Sequence, residues 1–364
     1  MNEFTNANAE IWFKWLIRRS DNLPGATVYF LSKRNPTSPR FFWLYEHSSS
    51  IRIVLFRGFR WGKLDRICLN FVRVFSRVLS AKFKKYQWVH LTDGNANFRV
   101  RTNSLIHMDD PTYDFKEINY LEKLWQYKKK HGFDLRLVVT NEFTRSYINE
   151  KLKNVDVSII PQGFHANPQA TTKPVAKHEK FSVVYTSANI HYRGDKYDQH
   201  SAWGCGHLID TIIPRISLIS PEIQVHLVGS MGENAKKKVE GYENVVCHGM
   251  LRTDECVKVL ERCHIGIYPR IHDHKRSVQK ITEYLGARLP IVSYDLVDAS
   301  LVRDLNIGIV VSTSHDFVNA IKDLASNSGR REEFISNIDK VHDDYSWHSL
   351  ARRMDSLFMM PNGH

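Results

Sequence analysis

The feature that most constrains this chain is an alternation along its whole length. Short runs rich in β-branched and aromatic residues recur, each followed by a longer stretch with helical periodicity. Such alternation belongs to parallel sheets whose crossovers are helices. Six runs lie in the first half, at 26–31, 51–56, 88–91, 104–107, 135–140 and 157–160. Six more lie in the second half, at 181–186, 224–228, 245–248, 265–268, 290–294 and 309–311. Between the sets, 163–180 holds Pro168, Pro174 and small or polar residues without apolar periodicity, so it reads as a linker. The expected fold class is α/β, with two Rossmann-like, doubly wound parallel-sheet lobes facing a cleft. The expected divisions are an N-terminal lobe at 1–171, a C-terminal lobe at 172–342 and a closing helix at 343–364 that returns to the first lobe. A chain of 364 residues suits two lobes of ordinary size.

Composition excludes several classes. With 42% hydrophobic and 25% charged residues the chain can bury real cores. The five cysteines (Cys68, Cys205, Cys247, Cys256, Cys263) are odd in number and form no C-x-x-C pair. That argues against a disulfide framework and a cysteine zinc knuckle, and points to a reducing, cytoplasmic compartment. The apolar stretch 11–17 is interrupted by Lys14, preceded by Glu3 and Glu10 and followed by Arg18 and Arg19, so it reads as neither a secretory signal nor a membrane span. A formal net charge of +12 and a pI near 9.4 imply anionic partners: nucleic acid, acidic lipid or phosphorylated substrates. No nucleic-acid reading module is recognisable, so nucleic acid is not the expected partner.

In open α/β sheets ligands sit at the carboxyl ends of strands. The most informative such place is YPRIHDHKRSVQKITEYLGARLPIVSYD, 268–295, where a strand ends at Pro269, a basic loop follows, and a helix leads into the next strand. Ser277 can cap that helix, and Lys280, Glu283 and Tyr284 fall near its start. A helix N-terminus favours a phosphate, a lysine adds a cation, and a glutamate can accept hydrogen bonds from a ribose diol.

This stretch resembles the donor-site signature of GT-B glycosyltransferases, particularly the retaining group called family four. Its K-x-x-E-Y-x-A-x-G-x-P-V-V run has as counterparts Lys280, Glu283, Tyr284, Leu285, Gly286, Ala287, Pro290, Ile291 and Val292. QVHLVG (224–229, ending at Gly229), NVVCHG (244–249) and 256–269 follow in the family's order, and the likeness extends from about residue 88 to the end. The resemblance implies a hexosyltransferase, with a UDP- or GDP-sugar as donor, Glu283 on the ribose and no further cofactor. It also implies a saccharide or lipid-linked acceptor in polysaccharide or glycoconjugate biosynthesis. The chain departs from the family at Lys275, where many members carry a second glutamate, and at Asn189 and Cys205, nearest to an arginine and a lysine of the first donor-lobe loop. Diphosphate charge is then expected to meet Arg193, Lys275, Arg276 and Lys280. No metal is expected, since His272, Asp273 and His274, adjacent on one loop, do not converge on one ion.

In the first lobe, VHLTDG (89–94) and IHMDDP (106–111) follow strands and present histidine with carboxylates, which can orient an acceptor hydroxyl or take its proton. Asp109 and His107 are the leading candidates, with Asp110, His90 and Asp93 in reserve; Asp-Asp-Pro is also a good turn, and either histidine can be a core residue. The stretch 64–83 carries apolar residues at helical spacing, with Arg66, Arg73, Arg77 and Lys82 on other faces. It suits a core-packing helix or a basic helix at an acidic membrane surface, as does the aromatic cluster Trp12, Phe13 and Trp15, so a peripheral location at the inner face of the cell membrane is one expectation. Two other readings stay open, a sugar-nucleotide epimerase of the same fold and a non-catalytic accessory subunit.

Overall fold

A computed structural model describes residues 26–32, 51–57, 88–91, 104–107, 115–164, 175–195, 205–273 and 278–359, with side chains from Leu121 onward except at 355, 358 and 359. All twelve expected strands are present: β1 (Ala26–Ser32), β2 (Ile51–Arg57), β3 (Trp88–Leu91), β4 (Ser104–His107), β5 (Leu135–Val139), β6 (Asp156–Ile159), β7 (Ser182–Ile190), β8 (Gln224–Met231), β9 (Val245–Gly249), β10 (Ile265–Tyr268), β11 (Ile291–Tyr294) and β12 (Gly308–Val311). They form two six-stranded sheets, β2-β1-β3-β4-β5-β6 and β12-β11-β10-β7-β8-β9. Every pairing in the first is parallel. So is every pairing in the second. Counted from β7, the second sheet has strand order 3-2-1-4-5-6, that of a dinucleotide-binding fold.

The helices among the described residues are α1 (Phe115–Lys130), α2 (Glu142–Lys151), α3 (Cys205–His207, continuing through a π-turn Leu208–Ile212 into Ile213–Ile219), α4 (Glu233–Val239), α5 (Thr253–Arg262) and α6 (Gln279–Gly286). They continue with α7 (Ser300–Asp304), α8 (Ser314–Ser326), α9 (Ser328–Val341) and α10 (Trp347–Met359). No helix among the described residues is long and apolar enough to cross a membrane.

Burial explains why the second sheet holds. In β7, Val183, Val184 and Tyr185 are all buried in succession, as expected when helices cover both faces. Val183 and Tyr185 join the cluster with α3 and α8, including Ile212, Ile216, Phe317 and Ile321. Val184 belongs to the opposite cluster with Leu260, Ile281, Tyr284 and Leu285 from α5 and α6.

Contacts group Met1–Pro161 with Trp347–His364, and Gln162–Ser346 as the other unit. The sequence reading put the divisions at 171/172 and 342/343. The position 171/172 lies outside the described residues, but Phe164 already belongs to the second unit: its backbone pairs with Ser346, its N–H donates to Tyr345 O at 3.0 Å, and its ring fills the space where Gly286 lacks a Cβ. In the first unit, α10 is tied to the sheet by Arg136, which donates to Leu357 O at 2.6 Å, and by Arg353, which donates to Ile159 O at 3.1 Å.

Candidate active site

The order of the second sheet dictates where a ligand can sit. From β7 the chain moves outward through β8 to β9, then crosses back to β10 on the other side of β7. Connections from β7 and β10 therefore leave in opposite directions and open a crevice at the carboxyl ends of these two strands. Helix α6 lies behind that crevice. Its residue Tyr284 spans both strands with one hydroxyl, which accepts from Thr186 N at 3.0 Å and donates to Ile267 O at 3.3 Å. Burial pushes this phenol well above its ordinary pKa, so it stays a donor. The ring packs where β10 has Gly266, since a Cβ there would stand 2.5 Å from it.

Four residues before Tyr284, Lys280 reaches the same crevice. Its Nζ lies 4.2 Å from the ring centroid of Tyr185 on β7 and 5.7 Å from that of Tyr268 on β10. Loss of hydration lowers its pKa to about 8; Cys205 and Glu283 oppose the shift and Arg270 adds to it. Lys280 has no salt bridge to an acidic side chain among the described residues, and its ammonium is held against two aromatic faces. Glu283, half-buried on the same helix, is close enough for its charge to act on Lys280, Tyr284 and Cys256.

The loop after β10 is fixed by a buried ion pair. Arg270 Nη1 lies 3.1 Å from Asp298 Oδ2, with both side chains almost wholly buried. Tyr268 OH links them, accepting from Arg270 at 3.2 Å and donating to Asp298 at 3.3 Å. Asp273 accepts from Val297 N at 3.0 Å and Asp298 N at 3.4 Å. It therefore caps the 3-10 turn Val297–Ala299 that follows β11. The sequence reading missed Arg270 and Asp298. Their one signal was an arginine directly after the proline that ends an apolar strand.

The loop after β7 is shaped by Asp195, whose carboxylate accepts from Tyr192 N at 2.7 Å, Asn234 N at 2.9 Å and Ala235 N at 3.3 Å. Burial alone would raise its pKa, but these backbone donors outweigh that and hold it below the usual range. Gly232 leaves the room, as a Cβ there would be 2.2 Å from Asp195 Oδ2. Gly229, with φ +145°, has the same kind of reason: a Cβ would lie 1.7 Å from the Ser187 carbonyl oxygen where β7 bulges.

The expected site residues are thus divided. Lys280 stands at the β7–β10 crevice with Glu283 near enough for its charge to act on it, and Gly229 permits the close approach of β8 to the end of β7. Arg193 is on the β7 loop, 80% exposed, with Nη2 3.3 Å from Asp210 Oδ2 of α3. Its partner is that carboxylate rather than the Lys280 pocket. Cys205, noted as a departure, lies 3.3 Å from Tyr185 OH, beneath Lys280. The N-cap residue of helix α6 is Val278, which has no side-chain acceptor. Ser277, Lys275, Arg276, Asp109, Asp110 and Asp93 lie outside the described residues, as do 64–83 and 11–17. His107 closes β4 in register with Leu91 and Val138, and His90 lies in β3.

No protein-family model matches the sequence, and no curated protein matches it. Solved structures do match. WaaG, a glycosyltransferase involved in lipopolysaccharide biosynthesis, aligns over 92% of this chain and 100% of its own, at TM-score 0.59 and 11% identity. Anabaena Alr3699/HepE in complex with UDP and glucose covers 92% and 98%, at 0.60 and 11%. An E. coli trehalose-6-phosphate structure bound with UDP-2-fluoro glucose covers 92% and 99%, at 0.63 and 9%. The fold is accordingly GT-B, with two Rossmann-like lobes.

Proposed function

We propose that the chain is a glycosyltransferase that takes its sugar from a nucleoside-diphosphate donor bound at the carboxyl ends of β7 and β10. The observation that carries this reading is the placement of α6: Tyr284 pins the helix across both strands, and Lys280 and Glu283 then stand together at the switch-point crevice. A desolvated ammonium is suited to the diphosphate, whose leaving-group charge grows in the transition state. Glu283 is suited to a ribose diol as acceptor of two hydroxyl donors. UDP is favoured among the nucleotides, because solved structures of this fold carry UDP or a UDP-sugar.

In the chemistry we propose, the bond from the sugar's anomeric carbon to the β-phosphate oxygen breaks. The acceptor oxygen bonds to the anomeric carbon on the same face, and its proton passes to the departing phosphate. That route retains configuration and needs no protein nucleophile; positioning and electrostatics supply the catalysis. Arg193, Lys275 and Arg276 are reserve cations, and Asp109 and His107 would orient the sugar and acceptor. A hexose donor, a saccharide or lipid-linked acceptor, and a cytoplasmic location peripheral to an acidic membrane belong to this reading. The likeness to a lipopolysaccharide enzyme supports such an acceptor.

Thermal stabilisation by a panel of UDP-, GDP-, TDP- and ADP-sugars tests it. The expected result is a rise in Tm with UDP-sugars that disappears in Glu283→Ala. No shift with any nucleotide sugar, and no effect of Glu283→Ala, would remove the reading. Product anomers from any turnover would separate retention from inversion.

A further inference from the structure

At the opposite, amino-terminal edge of the second sheet lies a cluster that sugar transfer does not use. His178 precedes β7, His226 is the third residue of β8, and Cys263 follows α5 just before β10. These are 48 and 37 residues apart in sequence, so no short motif announces them. One ligand atom from each (a ring nitrogen of each histidine and the cysteine Sγ) lies within 4.8 Å of the other two. They are the one such group of three among the described residues.

His226 carries the case further. It is 2% exposed, and its Nδ1 is 2.9 Å from His248 Nε2, while its Nε2 is buried with no hydrogen-bond partner. A buried ring nitrogen without a partner destabilises the fold unless a donor or a metal ion takes up its lone pair. The His178 ring is 4.6 Å from that of His226, centroid to centroid, and Cys263 is wholly buried beside them.

We propose that His178, His226 through Nε2, and Cys263 form a binding site for a zinc-type divalent transition metal. Imidazole and thiolate are the donors that zinc selects, and three protein ligands leave one tetrahedral position for solvent. Bonds of about 2.0–2.3 Å set ligand atoms about 3.3–3.8 Å apart, so closure asks each pair to draw in by at most about 1.5 Å. Binding replaces the S–H bond of Cys263 by a sulfur–metal bond, and the proton leaves to solvent. His248 has the outer role: with Nε2 unprotonated it accepts from His226 Nδ1–H and fixes the tautomer in which Nε2 faces the metal.

The site would also have a mechanical consequence. Residues 175–181 lead into the lobe, and they are already held to the end of α5 by His178 N donating to Arg262 O at 2.9 Å and Lys177 Nζ donating to Cys263 O at 2.8 Å. A metal bond would join this entry segment to β8 and α5 at one point.

The test is metal content and Co²⁺ spectroscopy on the full chain after chelation and reloading. One Zn²⁺ per chain is expected. Co²⁺ should give a near-ultraviolet thiolate charge-transfer band together with the intense visible bands of a tetrahedral site. Cys263→Ala should abolish the charge-transfer band, and His178→Ala, in the half-exposed entry segment, should weaken Zn²⁺ binding at least about tenfold. His248→Gln should weaken it less. If Cys263→Ala does not fold, the spectrum of the wild-type chain and His178→Ala still decide. Failure of the wild-type chain to bind either ion, a cobalt spectrum without a thiolate band, or unchanged affinity in His178→Ala would each overturn the proposal.

Discussion

Lys280 offers the sharpest test, because the same substitution should move stability and ligand affinity in opposite directions. Burial lowers its pKa from 10.5 to about 8, a difference equivalent to about 3 kcal/mol against the charged form. The Tyr185 face, 4.2 Å away, returns roughly 0.5–2 kcal/mol as a cation–π contact. Desolvation therefore wins, and the ligand-free chain should be less stable with the ammonium than without it. The sign over pH follows from a lowered folded-state pKa. Below about pH 8 the group is charged in both states and the full cost is present. Between about 8 and 10.5 the folded chain has released its proton while the unfolded chain keeps it, so stability rises across that window. Lys280→Met should raise Tm near neutral pH by roughly 2–10 °C, for about 1–3 kcal/mol in a lobe of this size. It should also flatten the rise on the alkaline side. In the proposed site a diphosphate needs the charged form, so UDP affinity should fall up to about tenfold per pH unit above about 8, with proton uptake on binding. Lys280→Met should bind UDP weakly at every pH. Scanning calorimetry of the free chain and titration calorimetry with UDP in two buffers measure both. A lower Tm for Lys280→Met near neutral pH would mean that the lysine is a structural aromatic contact. A pH-independent UDP affinity for the wild-type chain would refute the electrostatic role.

Three further substitutions probe the frame around this residue. Tyr284→Phe removes the hydroxyl that satisfies Thr186 N and Ile267 O, and should cost about 1–3 kcal/mol in denaturant titration; an unchanged midpoint would show that neither group depends on it. Asp298→Leu takes the carboxylate from the buried Arg270 and should cost about 3–5 kcal/mol, whereas Arg270→Met/Asp298→Leu together should recover most of that, and a double variant no better than the single one would contradict the pairing. Gly229→Ala places a Cβ 1.7 Å from the Ser187 oxygen in a left-handed backbone, so about 3 kcal/mol or more should be lost and soluble yield should fall; a well-folded, fully stable variant would show that the β7 bulge can relax.

All twelve strands begin within one residue of where the β-branched and aromatic runs put them, and only β7 and β8 run on, by four and three residues, to Ile190 and Met231, because strand formation here follows local sequence and burial on two faces. Long-range pairings were not legible in the same way. Arg270 and Asp298 meet because β10 and β11 are neighbours. His178, His226 and Cys263 converge only once strand order has placed β8 and the starts of β7 and β10 together. Arg193 is legible as a phosphate cation, whereas the carboxylate of Asp210 that faces it is visible only once α3 packs against its loop.

The K-x-x-E-Y spacing was legible as a motif, and the fold supplies its physical reason. Tyr284 is the buried member: its ring needs Gly266, and its hydroxyl needs one backbone partner on each of the two diverging strands. Those demands fix the rotation of α6 about its axis. A residue four positions earlier lies one turn along the same face, so Lys280 must emerge at the crevice rather than on the helix back. The aromatic residues it meets, Tyr185 and Tyr268, come one from each strand. The departure at Cys205 is also intelligible, because its sulfur bonds the hydroxyl of the same Tyr185 whose ring carries Lys280. In the proposed site the positive charge is therefore carried by the helix, and the β7 loop is organised instead by a carboxylate, Asp195, bound to the start of α4.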